Sequence, residues 1–262
     1  VEYRRWFGAE PFRAVDDVSL EIAPGETMGL VGESGSGKTT LSRAVLGLVP
    51  LSSGAVRFDG ADITRRSARL SRSLSREIQV VFQDPYSSLN PTRTIRTSLV
   101  EPLSVHPDFR RRDAAARAAE MIERVGLPAD ALERYPGDFS GGQRQRIAIA
   151  RALMISPRLL ICDEPLSALD LSVQAQILNL LMDLQRDLGL SYLFISHDLA
   201  VVRHIAHRVT VLYGGRVMET GTSEQVCERP THEYTQRLVA SGDGEALRRR
   251  LQADAVVRDR GA

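Results

Sequence analysis

A glycine-rich stretch at residues 32–40 constrains the fold of this chain more than any other feature. Its sequence, GESGSGKTT, fits the pattern G-x-x-x-x-G-K-[ST] of the phosphate-binding loop. The glycines let successive backbone N–H groups turn inward around phosphate oxygens, and the start of the following helix adds positive potential. The motif works between a buried strand and a helix. Residues 26–31 (ETMGLV) predict that strand and residues 41–48 (LSRAVLGL) that helix.

Lys38, within this loop, is the only lysine among the 34 Lys and Arg residues of the chain. A chain that uses Arg elsewhere and keeps a single Lys indicates a site that Arg does not serve. The ammonium is a compact point charge that can reach the β- and γ-phosphates of a nucleotide, whereas the guanidinium fork is bulkier and directional. We therefore expect Lys38 to bind phosphates and the Thr39 hydroxyl to bind Mg²⁺.

Composition limits the class of protein. With 262 residues, 43% hydrophobic and 26% charged, the chain is typical of a soluble globular protein with one large domain, or one domain with a subdomain. A net charge of +1 does not mark a nucleic-acid binder. The Arg clusters, one of them at residues 65–76, are expected to be solvated faces or tails. Two cysteines are too few for a disulfide or metal framework and fit a reducing compartment, and no apolar run is long enough to span a membrane.

The pattern along the chain predicts an α/β fold with a mostly parallel, covered core sheet. Alternating residues at 15–22 predict a strand of an N-terminal antiparallel β subdomain, and Pro-rich segments bracket an inserted helical subdomain at about residues 90–155. The domain is expected to cover residues 1–241, followed by a polar tail at 242–262. Further strands are predicted at 54–58, 78–82, 158–162, 191–195, 208–213 and 216–219, and helices at 140–154, 172–188 and 199–206.

Two carboxylates, Asp163 and Glu164, end a predicted apolar strand in the run LLICDE. The first is placed to hold Mg²⁺ through water, as a Walker B aspartate does. The second is placed to orient or deprotonate an attacking water. An acidic helix start after a buried strand is the simpler alternative, but the phosphate loop makes it the weaker one.

A second glycine-rich motif, at residues 140–143, opens a predicted helix with Ser followed by two glycines and Gln. Bare N–H groups at a helix start form an anion site, although an ordinary helix cap would have the same composition. A second phosphate-binding helix start is superfluous in a monomeric kinase. It makes sense if it caps an ATP that another subunit holds.

Three more motifs complete an ordered set: Gln83 in VFQDP, a SALD loop ending at Asp170, and His197 in ISHD. With this order of motifs, the chain resembles the nucleotide-binding subunits of ATP-binding cassette (ABC) transporters over nearly all of its length. The resemblance implies a P-loop NTPase fold of the ABC ATPase type. It also implies a head-to-tail dimer, in which each of two ATPs lies between the phosphate loop of one subunit and the 140–143 motif of the other.

The resemblance also implies roles for individual residues. Lys38 would grip phosphates, Glu164 would be the general base, and Gln83 and His197 would complete the catalytic set. Thr39, Gln83 and Asp163 would bind Mg²⁺. The remaining ATP-binding positions would be Gly32, Ser34, Gly35, Ser36, Gly37, Thr40, Ser140, Gly141, Gly142, Gln143 and Asp170. The aromatic residue that stacks on adenine would be Tyr3 by position, with Trp6 and Phe7 as alternatives.

Three segments are similar to the dipeptide/oligopeptide importer branch, which also includes nickel and glutathione importers. They are QDPYSSLNP from Gln83, LDLSVQAQ from Leu169 and PTHEYT from Pro230, where Glu233 stands in place of a more usual Pro. The branch implies an ATPase that powers peptide uptake. Alternatives are import of nickel, glutathione or another solute, or a soluble cassette protein, for which no coiled-coil or basic insertion is visible. The chain has no cluster of cysteines, so we predict no iron–sulfur site.

The branch implies a set of partners as well. These are a second ABC ATPase domain, in a heterodimer or fused in the same polypeptide, two membrane-spanning permease subunits and an extracytoplasmic solute-binding protein, without nucleic acid. The chain would lie peripherally on the cytoplasmic face of the cell membrane. Because it begins at Val1 rather than Met, it could be the second half of a fused double ATPase.

Overall fold

A computed structural model describes residues 1–3, 12–84, 88–104, 106 and 111–240. The strands are β1 (Glu2–Tyr3), β2 (Phe12–Arg13), β3 (Thr27–Val31), β4 (Arg57–Phe58), β5 (Ala61–Asp62), β6 (Ile78–Val81), β7 (Leu159–Asp163), β8 (Ser191–Ser196), β9 (Arg208–Tyr213) and β10 (Arg216–Thr222). The helices are α1 (Lys38–Val45), α2 (Ala68–Glu77), α3 (Ile95–Ser104), α4 (Arg111–Arg124), α5 (Gly141–Leu153), α6 (Leu171–Leu188), α7 (Leu199–Ile205), α8 (Ser223–Glu228) and α9 (Glu233–Ala240).

The core is a six-stranded sheet with the order β10-β9-β3-β8-β7-β6. Only the β9–β10 pair is antiparallel; the other neighbours in this sheet are parallel. The prediction of a mostly parallel α/β fold is therefore confirmed. The carboxyl ends of β3, β8, β7 and β6 lie side by side at one edge, where α/β sheets bind ligands.

Both faces of the sheet are covered, because successive residues on a strand point to opposite faces. In β8, Tyr192 and Phe194 join the larger buried cluster, whereas Leu193 and Ile195 join the second. The strands can therefore be apolar throughout, as expected for a parallel sheet between two layers of helices.

Helices α3, α4 and α5 form the layer that corresponds to the predicted helical insertion. Ile95 and Leu99 of α3, Ile122 of α4 and Ile149 of α5 are fully buried and belong to the larger cluster. The limits of 90–155 for a separate subdomain stay a prediction. Among the described residues, no helix combines the length and apolarity needed to cross a membrane.

The predicted strand at residues 15–22 is wrong. Val18 and Ile22 do pack against the second cluster, so the apolar alternation has a real cause. However, Asp17 has a φ of 52°, in the left-handed region that interrupts extended backbone, and the described residues of this segment join no sheet. The antiparallel pairing lies instead in the short pairs β1–β2 and β4–β5, and the strand predicted at 54–58 is reduced to β4.

The Arg-rich segment 65–76 is more than a solvated face. Most of it forms α2, which begins after Ser67, whose side chain accepts a hydrogen bond from the Leu70 N–H. Arg66 donates hydrogen bonds to the carbonyl oxygens of Ile63, Leu46 and Val45, and so satisfies backbone groups at the end of α1. The helices α2, α8 and α9 were not among the predicted elements.

We predict that Gly29→Ala destabilises the protein, because a Cβ there would lie 2.2 Å from Cγ1 of Val202 in α7. The helix would have to shift from the sheet, which costs about 1–3 kcal/mol of unfolding free energy. Chemical denaturation measures the loss. Gly137→Ala is the control, because no atom lies within 4 Å of its added Cβ. Equal stability of the two variants would contradict the close packing of α7 on β3.

Candidate functional site

The phosphate loop is held so closely by its surroundings that two of its glycines cannot carry a side chain. Gly32 has a φ of 153°, and a Cβ there would lie 2.1 Å from the carbonyl oxygen of Leu212 in β9. Gly37 has a φ of 106°, and its Cβ would lie 2.4 Å from the oxygen of Ala14. These contacts fix the loop between β9 and the N-terminal segment, and they explain the glycines in structural terms.

Lys38 is buried at the first position of α1, and its ammonium is held by the loop itself. Nζ donates to the carbonyl oxygens of Gly32 at 2.7 Å and Glu33 at 2.9 Å, and it lies 3.9 Å from Oε1 of Glu164. Burial lowers the pKa of Lys38 below its ordinary value, and the charges of Glu164 and Asp163 oppose that shift. A further anion in the loop would favour the charged ammonium.

One polar atom of the loop has no partner within the described part of the chain. Ser36 is only 4% exposed, and its buried Oγ atom makes no hydrogen bond to any described residue. A buried hydroxyl without a partner is costly, so its presence indicates a ligand with hydrogen-bond acceptors. Phosphate oxygens fit that description. Ser34, Gly35 and Thr40 lie in the same loop and the first turn of α1, as the motif predicts.

Asp163 at the end of β7 accepts hydrogen bonds from α1. Thr39 Oγ1 donates to Oδ1 at 3.4 Å and Ser42 Oγ to Oδ2 at 3.2 Å. Burial raises the pKa of Asp163, and the hydrogen bond from Ser42 works against that rise. This cluster of hydroxyl and carboxylate oxygens has the donor chemistry that Mg²⁺ prefers.

Ser42 was missed by the sequence interpretation. It lies outside the phosphate-loop pattern, and a serine inside a helix is unremarkable by itself. Residues three apart share a helix face, so its spacing from Thr39 is the signal that could have identified it.

Glu164 lies at the centre of the carboxyl edge. Its φ of 50° is unusual for a residue other than glycine and turns the chain sharply after β7. Its N–H donates to the Ile195 oxygen at 3.0 Å, which ties the turn to β8. Oε2 lies 3.4 Å from Nδ1 of His197, which is exposed, while Oε1 faces Lys38. The structure thus brings three predicted catalytic side chains together.

The 140–143 motif forms a capped helix start. Ser140 Oγ accepts the Gln143 N–H at 3.3 Å, and the Gln143 side chain accepts the Ser140 N–H at 3.0 Å. A Cβ on Gly142 would lie 2.3 Å from Cγ1 of Val173 in α6, so this glycine is required by packing, whereas Gly141 is not confined in this way. Within the described residues, no hydrogen bond or ion pair joins this motif to the phosphate loop.

The other predicted positions are placed as follows. Asp170 caps α6, since its Oδ1 accepts the N–H groups of Ser172 at 2.9 Å and Val173 at 3.1 Å. Gln83 is exposed just after β6, at the same sheet edge as Glu164. Tyr3 lies in β1 opposite Phe12, and Trp6 and Phe7 lie outside the described residues. The roles assigned to individual site residues stay predictions.

Comparisons with known proteins agree on one family. Residues 15–167 match the family model described as ABC transporter. The glutathione import ATP-binding protein GsiA of Escherichia coli is 54% identical over 228 residues, 87% of this chain. The chain spans only 37% of the length of that relative.

Solved structures resemble the fold as well. The structure of cbiO1 from Clostridium perfringens, part of the ABC transporter complex cbiONQ, has a TM-score of 0.77 and 28% identity, over 87% of this chain and 89% of that one. A dimeric ATP-binding cassette in a post-hydrolysis state, bound to ADP and Pi, has a TM-score of 0.74 and 29% identity, over 85% of this chain and 96% of its own.

We predict that the two glycines of the 140–143 motif differ in their effect on stability. Gly142→Ala forces α5 away from Val173 and is expected to lower the free energy of unfolding by about 1–3 kcal/mol. Gly141→Ala is the matched control, because its Cβ would meet Leu169 at an ordinary 3.4 Å. Thermal unfolding of both variants checks this. A loss of similar size for Gly141→Ala would show that the packing against α6 is not the reason.

Proposed function

We propose that this chain, which belongs to the ABC transporter family, hydrolyses ATP to drive the uptake of a peptide across a membrane. The observation that carries the proposal is the convergence of Lys38, Asp163, Glu164 and His197 at the carboxyl edge of the parallel sheet. The similarity to an import ATP-binding protein supports the direction of transport.

The described contacts support a division of labour at this edge. Lys38 and the N–H groups of the loop would hold the β- and γ-phosphates, and the free Ser36 hydroxyl would add a donor. Mg²⁺, held by Thr39, Asp163 and Gln83, would supply charge neutralisation on the phosphates. Glu164 would accept the proton of the attacking water, since its carboxylate lies 3.9 Å from Nζ of Lys38, the group proposed to hold the phosphates.

His197 has a different task. Its Nδ1 atom faces the Glu164 carboxylate, and its exposed ring would orient that carboxylate and contact the γ-phosphate.

A second cassette would complete each site. In the Ser140–Gln143 helix start, the N–H groups of Ser140 and Gln143 are engaged in the capping box, and no described bond joins the motif to the phosphate loop of its own chain. This arrangement fits a role of the Gly141 and Gly142 N–H groups in trans across a dimer interface. Asp170 would bridge the two sites. The related cassette that was solved as a dimer with ADP and Pi supports this arrangement.

Glu164→Gln is the sharpest test of the proposed chemistry. The amide cannot accept the proton of water, so ATP turnover should fall by about 10²–10⁴-fold while ATP binding persists. The variant should also accumulate as the ATP-bound dimer. Turnover is measured by phosphate release and dimer formation by light scattering.

Glu123→Gln serves as the control, because that carboxylate is exposed on α4. It should leave both measurements unchanged. Turnover by Glu164→Gln at the wild-type rate would contradict the general-base role.

The peptide is proposed from two independent likenesses. The segments at Gln83, Leu169 and Pro230 resemble the peptide importer branch, and the printed name of the E. coli relative is that of a glutathione importer. Glutathione is itself a small peptide. We infer that membrane-spanning subunits and an extracytoplasmic solute-binding protein select the solute, while this chain acts peripherally on the cytoplasmic face of the membrane.

Purified native complex tests the solute class. Its ATP turnover in lipid vesicles should rise several-fold when glutathione or a dipeptide is added together with the solute-binding subunit. Stimulation by Ni²⁺ but by neither peptide would contradict the peptide assignment and favour the nickel importers of the same branch.

A further inference from the structure

A tyrosine from the C-terminal helix contacts the phosphate loop. Tyr234 in α9 is 5% exposed, and its hydroxyl oxygen accepts a hydrogen bond from the Glu33 N–H at 3.2 Å. The two residues are separated by 201 positions in the sequence. Burial raises the pKa of the Tyr234 hydroxyl, so it stays neutral at physiological pH. Tyr234 lies outside the ordered motifs of the family.

The contacted peptide bond is the one that anchors the lysine. The Glu33 N–H and the Gly32 C=O belong to a single planar trans unit, in which the two groups point in opposite directions. Tyr234 accepts from the N–H on one side, and Lys38 Nζ donates to the C=O at 2.7 Å on the other. The hydroxyl therefore fixes the orientation of a carbonyl that holds the ammonium.

Tyr234 is itself held firmly. Its ring packs against that of Tyr213 in β9, with the ring centroids 4.5 Å apart. Its N–H donates to Nδ1 of His232 at 3.1 Å. The carboxylate of Glu219 in β10 accepts the N–H groups of Thr231 and His232, at 2.9 and 3.1 Å, and the Thr231 hydroxyl at 2.8 Å.

The charge on Glu219 favours this attachment. Burial raises the pKa of Glu219, but these hydrogen bonds outweigh burial and leave it below its ordinary value. The carboxylate is thus ionised at neutral pH and fastens the segment that leads into α9.

The hairpin supports the loop from a second point. The N–H of Gly215, between β9 and β10, donates to the Ser36 oxygen at 3.0 Å. The β9–β10 hairpin and α9 thus contact the loop at two points, the Ser36 oxygen and the Glu33 N–H.

We propose that Tyr234 is a positioning residue for Lys38, acting through the Gly32–Glu33 peptide, and that Glu219 sets its place. The inference rests on the proposed function, because it concerns the affinity of the phosphate loop for ATP. The inference assigns the PTHEYT segment, residues 230–235, a role at the nucleotide site.

Tyr234→Phe tests the proposal with the ring packing kept. Loss of one hydrogen bond should weaken ATP binding and raise KM for ATP by about threefold to tenfold. The kcat should stay within about twofold of wild type, since Glu164 does not change, and the thermal midpoint should fall by no more than about 2–4 °C, the shift expected for one lost hydrogen bond. Tyr213→Phe is the matched control, because it removes a hydroxyl from the other ring of the pair, and it should match wild type.

Glu219→Gln is a second variant that leaves Tyr234 in place. It should shift KM in the same direction, and the double variant should show less than the product of the two single effects, because both act on one contact.

ATP affinity is measured by direct titration as well as by turnover, on the full-length protein with its co-purifying chains. A wild-type affinity for Tyr234→Phe would overturn the inference, as would a loss of kcat together with a fall in the thermal midpoint beyond about 4 °C. A wild-type protein that binds ATP without hydrolysing it would overturn the proposed function, while the titration would still decide the role of Tyr234.

Discussion

Parallel pairing of β3, β8, β7 and β6 is the constraint on which the rest of the structure depends. Because β3, β7 and β8 are buried along their whole length, charged side chains are excluded from the strand interiors and gather where the strands end. Parallel direction puts those four ends at a single edge. The phosphate loop, Gln83, Asp163 and His197 are far apart in the chain, and the parallel strands place all of them at the same edge.

The carboxyl edge is electrostatically costly, because ionisable groups are buried there. Burial acts in opposite directions on its two central groups, lowering the pKa of Lys38 and raising that of Asp163. Lys38 is tolerated because it faces the Glu164 carboxylate and donates to two carbonyl oxygens. Asp163 is tolerated because the hydroxyls of Thr39 and Ser42 donate to it. Such a site lowers the free energy of unfolding of the protein, but it is preorganised to bind an anion and a cation together.

Features that depend on residues close together in the sequence were predictable, whereas features that depend on distant residues were not. The strand–loop–helix around Lys38 and the apolar strand before Asp163 are local patterns, and both were predicted, although α1 covers Lys38–Val45 rather than the predicted 41–48. Segment 15–22 failed because its alternation reflects packing without pairing, and the pattern does not reveal the left-handed Asp17. Helix α2 was not predicted, because its arginine-rich sequence was interpreted as a solvated face. Tyr234 contacts the loop only through the tertiary fold, so no sequence window could place it there.

The thiol of Cys162 lies in β7, one residue before Asp163, and is fully buried. Burial and the neighbouring Asp163 charge raise the pKa of this thiol far above its ordinary value, so in the closed fold it is inert towards alkylating reagents. It becomes reactive only when the strand separates from its neighbours. The sulfur is therefore a native reporter of local opening of β7, and its labelling rate would show how strongly a bound nucleotide holds the carboxyl edge closed.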